Sequence, residues 1–393
     1  VRGLAGMKRL VMGLALGIML LLPLPVGAAE EPVFSWQDTV DKIDLEMMEE
    51  FKNRIDGEIS SYTDSKPVKE WLADFIKGEW EFSFEELLNN TVRFFFKEIM
   101  VNSSLLGRLL ILSVLSALLV NLQSAFSSGV ARISHLACFM ALAAIALGSF
   151  RLVLEIGQQT IDQMVSFMMG MLPQMLVLVA GLGNVHTAAT LFPVMMTTCT
   201  AFANAMQNVV FPLIIMSAIL NLINHLSEGL KVEKMAKFFG QIAQLALAFF
   251  LTLFVGILTL RALYSSVMDK VALRTTKFVT DNAIPVVGKM FSDTIEVAAG
   301  YVVMIKQALG ISAVIIILGV VLFPLLKVAA IALIYKIAAA VAEPLGDSRT
   351  SAILEMMSSH LFLMLAAVAA VALMFFIMIA IVVGMSNHLA SLP

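Results

Sequence analysis

Charge is scarce in this chain. Lys, Arg, Asp and Glu make up 14% of its 393 residues, where a soluble domain carries about one quarter. The scarcity is uneven: residues 30–98 hold 18 acidic and 8 basic side chains, which leaves the other 324 residues about 9% charged. A chain of this kind has one small polar domain and a body too apolar to be a water-soluble enzyme core. The acidic excess of the polar domain argues against a nucleic-acid surface.

Cysteine and histidine are scarce too. Cys138 and Cys199 stand alone in apolar runs, so neither a disulfide framework nor a cysteine-ligated metal is indicated. His135, His186, His225, His360 and His388 show no His-Glu-x-x-His spacing for zinc. No phosphate-cradling Gly-rich loop with Lys is present, so energy for any transport comes from an ion gradient or a separate ATPase. "GLGN", residues 181–184, is one residue from the Gly-x-Gly-Asp of intramembrane aspartyl proteases, but Asn184 cannot replace the carboxylate in acid–base chemistry. The expectation is a protein without catalytic residues, cofactor or metal.

What the chain has in quantity is long apolar runs. Near the N-terminus, Lys8 and Arg9 precede "LVMGLALGIMLLLPLP" and the small residues of "VGAAEE", the pattern of a signal peptide over 1–29. Cleaved after Ala28 or Ala29, or kept as an anchor, it puts residues 30–103 outside the cytoplasm. In that domain Val40, Ile43, Met47, Phe51 and Ile55 form one amphipathic stripe. A second helix is predicted to start at Pro67, to carry Val68, Trp71, Leu72, Phe75 and Ile76, and to stop near Gly78. Helices this small bury little by themselves, so they are expected to pack on a partner or on the membrane. "VRFFFKEIM", residues 92–100, suits either the lipid headgroup interface or the core of the small domain.

Residues 104–393 read as an all-α, multi-pass transmembrane domain in a lipid bilayer. About 20 apolar residues cross the hydrocarbon, and eight stretches qualify: 104–122, 133–154, 187–207, 209–226, 240–263, 301–323, 324–342 and 361–384. Two shorter segments, 171–183 and 281–293, each contain a proline. Pro173 and Pro285 are separated by the same interval as Pro212 and Pro324, and the latter two each sit in a Phe-Pro-Leu triplet. This reads as an internal repeat, units 131–235 and 236–350. If the short segments only dip into the membrane, each unit crosses three times and the units are inverted, as in transporters and pores. Orientation follows from the signal: the loop at Arg132, the region 261–289 and Arg349 lie in the cytoplasm, against Lys231, Lys234 and Lys237 outside, a weak positive-inside bias.

The most distinctive stretch is "TKFVTDNAIPVVGKMFSDT", residues 276–294. Pro285 cannot donate a backbone hydrogen bond and pushes Ile284 toward extended geometry, so a helix breaks there. Asp281, Lys289 and Asp293 would each cost about 2.5–3.5 kcal/mol at a lipid-facing helix centre. The segment is therefore either a re-entrant turn lining a polar cavity or a loop outside the bilayer, with Asp281 and Asn282 capping the helix that follows. Thr280, Asp281, Asn282, Pro285, Gly288 and Asp293 are its candidate functional residues. Elsewhere, Asn204, Gln207, Asn208, Asn221, Asn224 and His225 either line a pathway or hydrogen-bond between helices. Lys327 and Lys336 snorkel or face a cavity. The run of Met164, Met168, Met169, Met171 and Met175 suits adaptable packing first and substrate contact second.

With "LRTTKF" before it and the signal, acidic domain and multi-span body around it, this stretch resembles stage III sporulation protein AE of endospore-forming bacteria. The resemblance runs essentially the full chain, and Thr-Asp-Asn-x-x-Pro-Val-Val-Gly is its most specific part. It implies a non-enzymatic membrane subunit of the channel complex between mother cell and forespore, placed in the outer forespore membrane. The implied partners are the other membrane proteins of that complex, a forespore-made partner among them, and a separate ATPase. The residues by themselves reach only a pore, a self-sufficient secondary transporter with a site at the repeat interface, or an assembly platform.

Overall fold

The computed structural model describes residues 43–59, 66–79, 84–126, 129–182, 184–226, 231–283 and 287–385. The predicted signal peptide, Val40 and Pro285 lie outside them. All regular structure among the described residues is helical: α1 (Glu46–Ile59), α2 (Val68–Lys77), α3 (Phe84–Val101), α4 (Ser103–Phe126), α5 (Gly129–Gly181), α6 (Val185–Ala205), α7 (Phe211–Leu226), α8 (Glu233–Ala283), α9 (Val287–Ala342) and α10 (Ser348–Gly384). A π-helical turn, Met206–Val210, joins α6 to α7, and a 3₁₀ turn, Glu343–Leu345, follows α9.

Length is the dominant feature. Helices α5, α8 and α9 have 53, 51 and 56 residues, each about 75–85 Å at about 1.5 Å per residue. Six described helical stretches are long and apolar enough to cross a membrane: Ser103–Asn121, Leu136–Gly181, Val185–His225, Glu233–Ser265, Ala299–Leu345 and Ser348–Gly384. The eight predicted spans collapse to six because Pro212 and Pro324 do not separate crossings. Residues 301–342 are one helix through Pro324, and 187–226 one helical run through Pro212. Pro173 likewise lies inside α5, so 171–181 continues that helix instead of forming a broken short segment. A proline inside a helix costs about 3 kcal/mol; here Met171, Leu172, Met175 and Leu176 around it are all buried, and their packing offsets the loss.

Side-chain contacts set the helix directions. Gln207 reaches Asp162 at 2.8 Å, and a Cβ on Gly157 would stand 3.2 Å from Phe211, so α6 and α7 return antiparallel along α5. Thr190 meets Ser265 at 3.1 Å and Ser217 donates to the Ala236 carbonyl at 2.8 Å, so α8 runs antiparallel to α6–α7 and parallel to α5. Tyr335 donates to the Ile145 carbonyl at 3.3 Å while Gly310 lies near Met175, so α9 is antiparallel to α5. Helix α10 turns back along α9 through Ser358 to the Ala332 carbonyl, 2.9 Å, and Val383 against Gly310. The two hairpins α5/α6–α7 and α8/α9 therefore run in the same sense. An inverted pair would set these hairpins in opposite senses; 171–181 is the end of α5 and 281–283 the end of α8.

Half or more of the apolar stretches of α9 and α10 is buried, against 17% of that of α8, so α9 and α10 are central and α8 is peripheral. Close approach depends on small residues, as expected where lipid removes the hydrophobic incentive: Gly157, Gly310, Ala338, Ala339 and Ala342 lie at helix contacts or in the core. Thr160 and Ser113 satisfy their hydroxyls within their own helices, on the Ile156 carbonyl at 2.7 Å and the Leu109 carbonyl at 2.8 Å, which lets apolar helices carry them. At the start of α10, Asp347 caps the helix, accepting from the Thr350 amide at 3.0 Å and its hydroxyl at 2.6 Å, and Ser116 of α4 donates to the same carboxylate. The cap pins this end of the α9–α10 hairpin to α4.

The small helices form as the sequence predicts and find their partner in the same chain. Helix α2 starts after Pro67 and stops at Gly78, which takes the left-handed conformation, φ 75°; the Val68 amide donates to Glu49 of α1. The stripe of α1 lies on the long helices: Phe51 packs edge-on to Phe167 of α5 at 5.3 Å between ring centres, and Met47 and Ile55 fill the space where Gly170 and Gly319 lack side chains. Glu46, Glu50, Asn53 and Arg54 face outward. From α3, Phe94 packs edge-on to Phe323 of α9 at 4.7 Å, so the Phe cluster serves as core at Phe94 and is exposed at Phe96.

Candidate functional site

The segment predicted to carry function straddles two helix ends. Thr280, Asp281 and Asn282 form the last turn of α8, and Gly288 and Asp293 belong to the first turns of α9. Asp281 and Asn282 are therefore helical. Described side chains end at Met268 and resume at Ala299, so the contacts of these residues are not part of the site built below.

A second polar locus lies half-way along the long helices. On α5, Arg151, Glu155, Gln159, Asp162 and Ser166 step by three and four residues and are all exposed. Arg151 and Glu155 pair at 2.9 Å. Across the hairpin Gln207 donates from one amide nitrogen to Asp162 at 2.8 Å and to the Gln158 carbonyl at 3.4 Å, and its neighbours Asn204 and Asn208 are exposed. Of the candidate pathway residues, then, Gln207 bonds between helices, His225 bonds the Asn221 carbonyl of its own helix at 2.7 Å, and Asn204 and Asn208 extend the polar face.

The π turn makes this register. Phe202, Met206, Val210, Ile214, Ala218 and Leu222 are all buried and spaced four apart, a row that a regular helix of about 3.6 residues per turn would carry around its axis. One wide turn, closed by the Phe211 amide on the Met206 carbonyl, resets the stripe, and it stands immediately before Pro212, whose ring would otherwise press on the carbonyl four residues back. The second triplet has no such turn: Phe323 and Pro324 pass through α9 in regular helix, beneath Phe94. Pro173, Pro212 and Pro324 thus each sit within helix.

Other polar contacts are structural. Ser217 lies 2.9 Å from His360 Nε2, yet its hydroxyl also donates to the Ala236 carbonyl and a Cβ at Gly240 would stand 3.0 Å away, so no substrate carbonyl fits beside it. Buried Lys306 donates to the Met385 carbonyl at 2.9 Å, closing the C-terminal end of α10. Lys336 pairs with Glu355 between α9 and α10. Met164, Met168, Met171 and Met175 are buried packing residues, while Met169 is exposed. Among the described residues no group of three His, Cys, Asp or Glu could hold a metal ion.

The family model for stage III sporulation protein AE matches residues 67–386. The chain belongs to the stage III sporulation protein AE family. A relative, stage III sporulation protein AE of Bacillus subtilis (strain 168), is 35% identical over 317 residues, which cover 80% of this chain and 79% of the relative. No solved structure matches the chain. The span shared with the stage III sporulation protein AE family takes in α2 to α10, the polar locus and the 276–294 segment, and leaves α1 before it. The family is one of sporulation-specific membrane proteins, and its name carries no catalytic activity.

Proposed function

We propose that this protein is a non-enzymatic integral membrane subunit of the sporulation channel complex between mother cell and forespore, needed for forespore development after engulfment. It sits in the outer forespore membrane, with residues 30–103 outside the cytoplasm. The observation that carries the reading is family membership across all of α2–α10, joined to six membrane-length helical stretches among the described residues. Its partners are the other membrane proteins of the complex, a forespore-made one among them, and a separate ATPase supplies energy. The polar face of Arg151, Glu155, Gln159, Asp162, Asn204 and Asn208 is the part of the chain suited to a wet surface in that assembly.

The test replaces the Bacillus subtilis relative with this chain and counts heat-resistant spores. Spore formation restored only when the rest of the complex is present supports the subunit reading. Solute uptake by vesicles containing this chain alone, with a proton or sodium gradient imposed, overturns it in favour of a self-sufficient secondary transporter.

A further inference from the structure

Two polar edges stand at one height on the two helices that flank α6–α7. On α5, Glu155, Gln159 and Asp162 are exposed one above the other, and on α8 Lys234, Lys237, Gln241 and Gln244 are exposed at steps of three and four. Contacts through α6–α7 fix the heights. Gln207 meets Asp162 of α5. Toward α8, Phe202 packs edge-on to Phe250 and Phe254, and Ser217 donates to the Ala236 carbonyl, which brackets Gln207 near Leu247. Asp162 and Leu247 are therefore level. Because α5 and α8 run parallel, Gln159 is level with Gln244, and Glu155 with Gly240, about one turn from Lys237. The edges differ in sign. Arg151 pairs with Glu155 and Lys237 with Glu233, so Asp162 makes the α5 edge acidic while Lys231 and Lys234 make the α8 edge basic.

We propose that the α5 edge of one copy docks on the α8 edge of a second copy of this chain, the two related by rotation about the membrane normal. Copies inserted in one membrane share orientation and depth, so a side chain meets only what lies at its own level in the next copy. Level matching then decides the pairing. Like edges brought together about a two-fold axis put Asp162 on Asp162, or Lys237 on Lys237, and like charges repel. Unlike edges put Glu155 beside Lys237 and Gln159 beside Gln244, so opposite charges and amide pairs meet along parallel helices. The contact is heterologous, each copy offering one edge to each neighbour. Both edges also lie in stretches long and apolar enough to cross a membrane, Leu136–Gly181 and Glu233–Ser265, where amides and carboxylates face protein or water in preference to lipid. Such a polar contact holds bridging water, in keeping with the wet surface assigned to α5 above. Self-association of this kind needs only copies of this chain and stands apart from the channel reading.

The experiment places two cysteine pairs, Glu155→Cys with Lys237→Cys and Gln159→Cys with Gln244→Cys, in the full chain with Cys138 and Cys199 replaced by alanine. The chain is expressed without the other proteins of the complex and oxidised in its membrane with copper phenanthroline. The expected result is disulfide-linked species of two or more chains, at several-fold the yield of any of the four single-cysteine chains. Linkage no greater than that of the single cysteines overturns the proposal. Linked dimers from Gln159→Cys alone or Gln244→Cys alone, as abundant as from the pair, overturn it in favour of a two-fold contact. Charge supplies a second measurement: Lys237→Glu should lower the yield of the Gln159→Cys with Gln244→Cys pair several-fold, and adding Glu155→Lys should restore it. A yield that Lys237→Glu leaves unchanged overturns the charge matching on which the docking depends.

Discussion

Replacing Gly310 with alanine tests the packing of the central hairpin. A Cβ there would stand 2.2 Å from Val383 Cγ2, against about 3.5–4.0 Å for a relaxed carbon contact. Val383 is β-branched and held to one rotamer in a helix, so α9 and α10 must separate to admit the methyl group. Overpacking of this kind costs about 1–3 kcal/mol, with a collision this deep near the upper end. Alanine also gains about 1 kcal/mol over glycine in helix propensity, which leaves a net loss of about 1–2 kcal/mol. Gly256 of α8 provides the internal comparison, because nothing lies within 4 Å of its missing Cβ: Gly256→Ala should stabilise by up to about 1 kcal/mol. In a Val383→Ala background the penalty at position 310 should vanish, a coupling of about 2 kcal/mol. Reversible unfolding of the purified protein in mixed SDS micelles, followed by circular dichroism, measures all four variants. Gly310→Ala as stable as Gly256→Ala, or a penalty untouched by Val383→Ala, refutes the reasoning.

Phe51→Ala removes the ring that sits on Phe167 and should weaken the docking of α1 by about 3 kcal/mol, seen as faster proteolysis within α1 while the long helices stay intact; an unchanged digestion pattern would assign the stripe another role. Parallel hairpins put the ends of α5 and α8 at one end of the bundle, so cysteines at Gly181 and Gly288 should react with an impermeant reagent from the same side of the membrane. Labelling from opposite sides would restore the inverted arrangement. For residues 276–294, Asp281→Ala and Pro285→Ala should each leave the protein expressed and inserted but block completion of spores, with Lys277→Ala milder; normal spore yield from both would remove the functional claim for the segment.

Several features were legible in the residues. Composition gave a helical membrane body, Pro67 and Gly78 bounded α2, and the stripe of Met47, Phe51 and Ile55 announced that one face of α1 is covered. The partner of that stripe was not legible, because Gly170 and Gly319 become sockets only when α5 and α9 stand side by side. The polar step of Arg151, Glu155, Gln159 and Asp162 was present in the sequence but masked by the apolar residues between; it stands out only once α5 is one unbroken helix.

The sequence by itself determined the class of the protein, the existence of its helices and its family, because these depend on local quantities: apolar run length, proline and glycine positions, and a specific stretch at 276–294. Tertiary structure decided which apolar runs join into single long helices and in which direction each helix runs. Whether Pro173, Pro212 and Pro324 end a helix depends on a balance of about 3 kcal/mol against packing from residues far along the chain, and here the packing prevails at all three. The same balance makes 171–181 the end of a long helix where the sequence suggested a short dip.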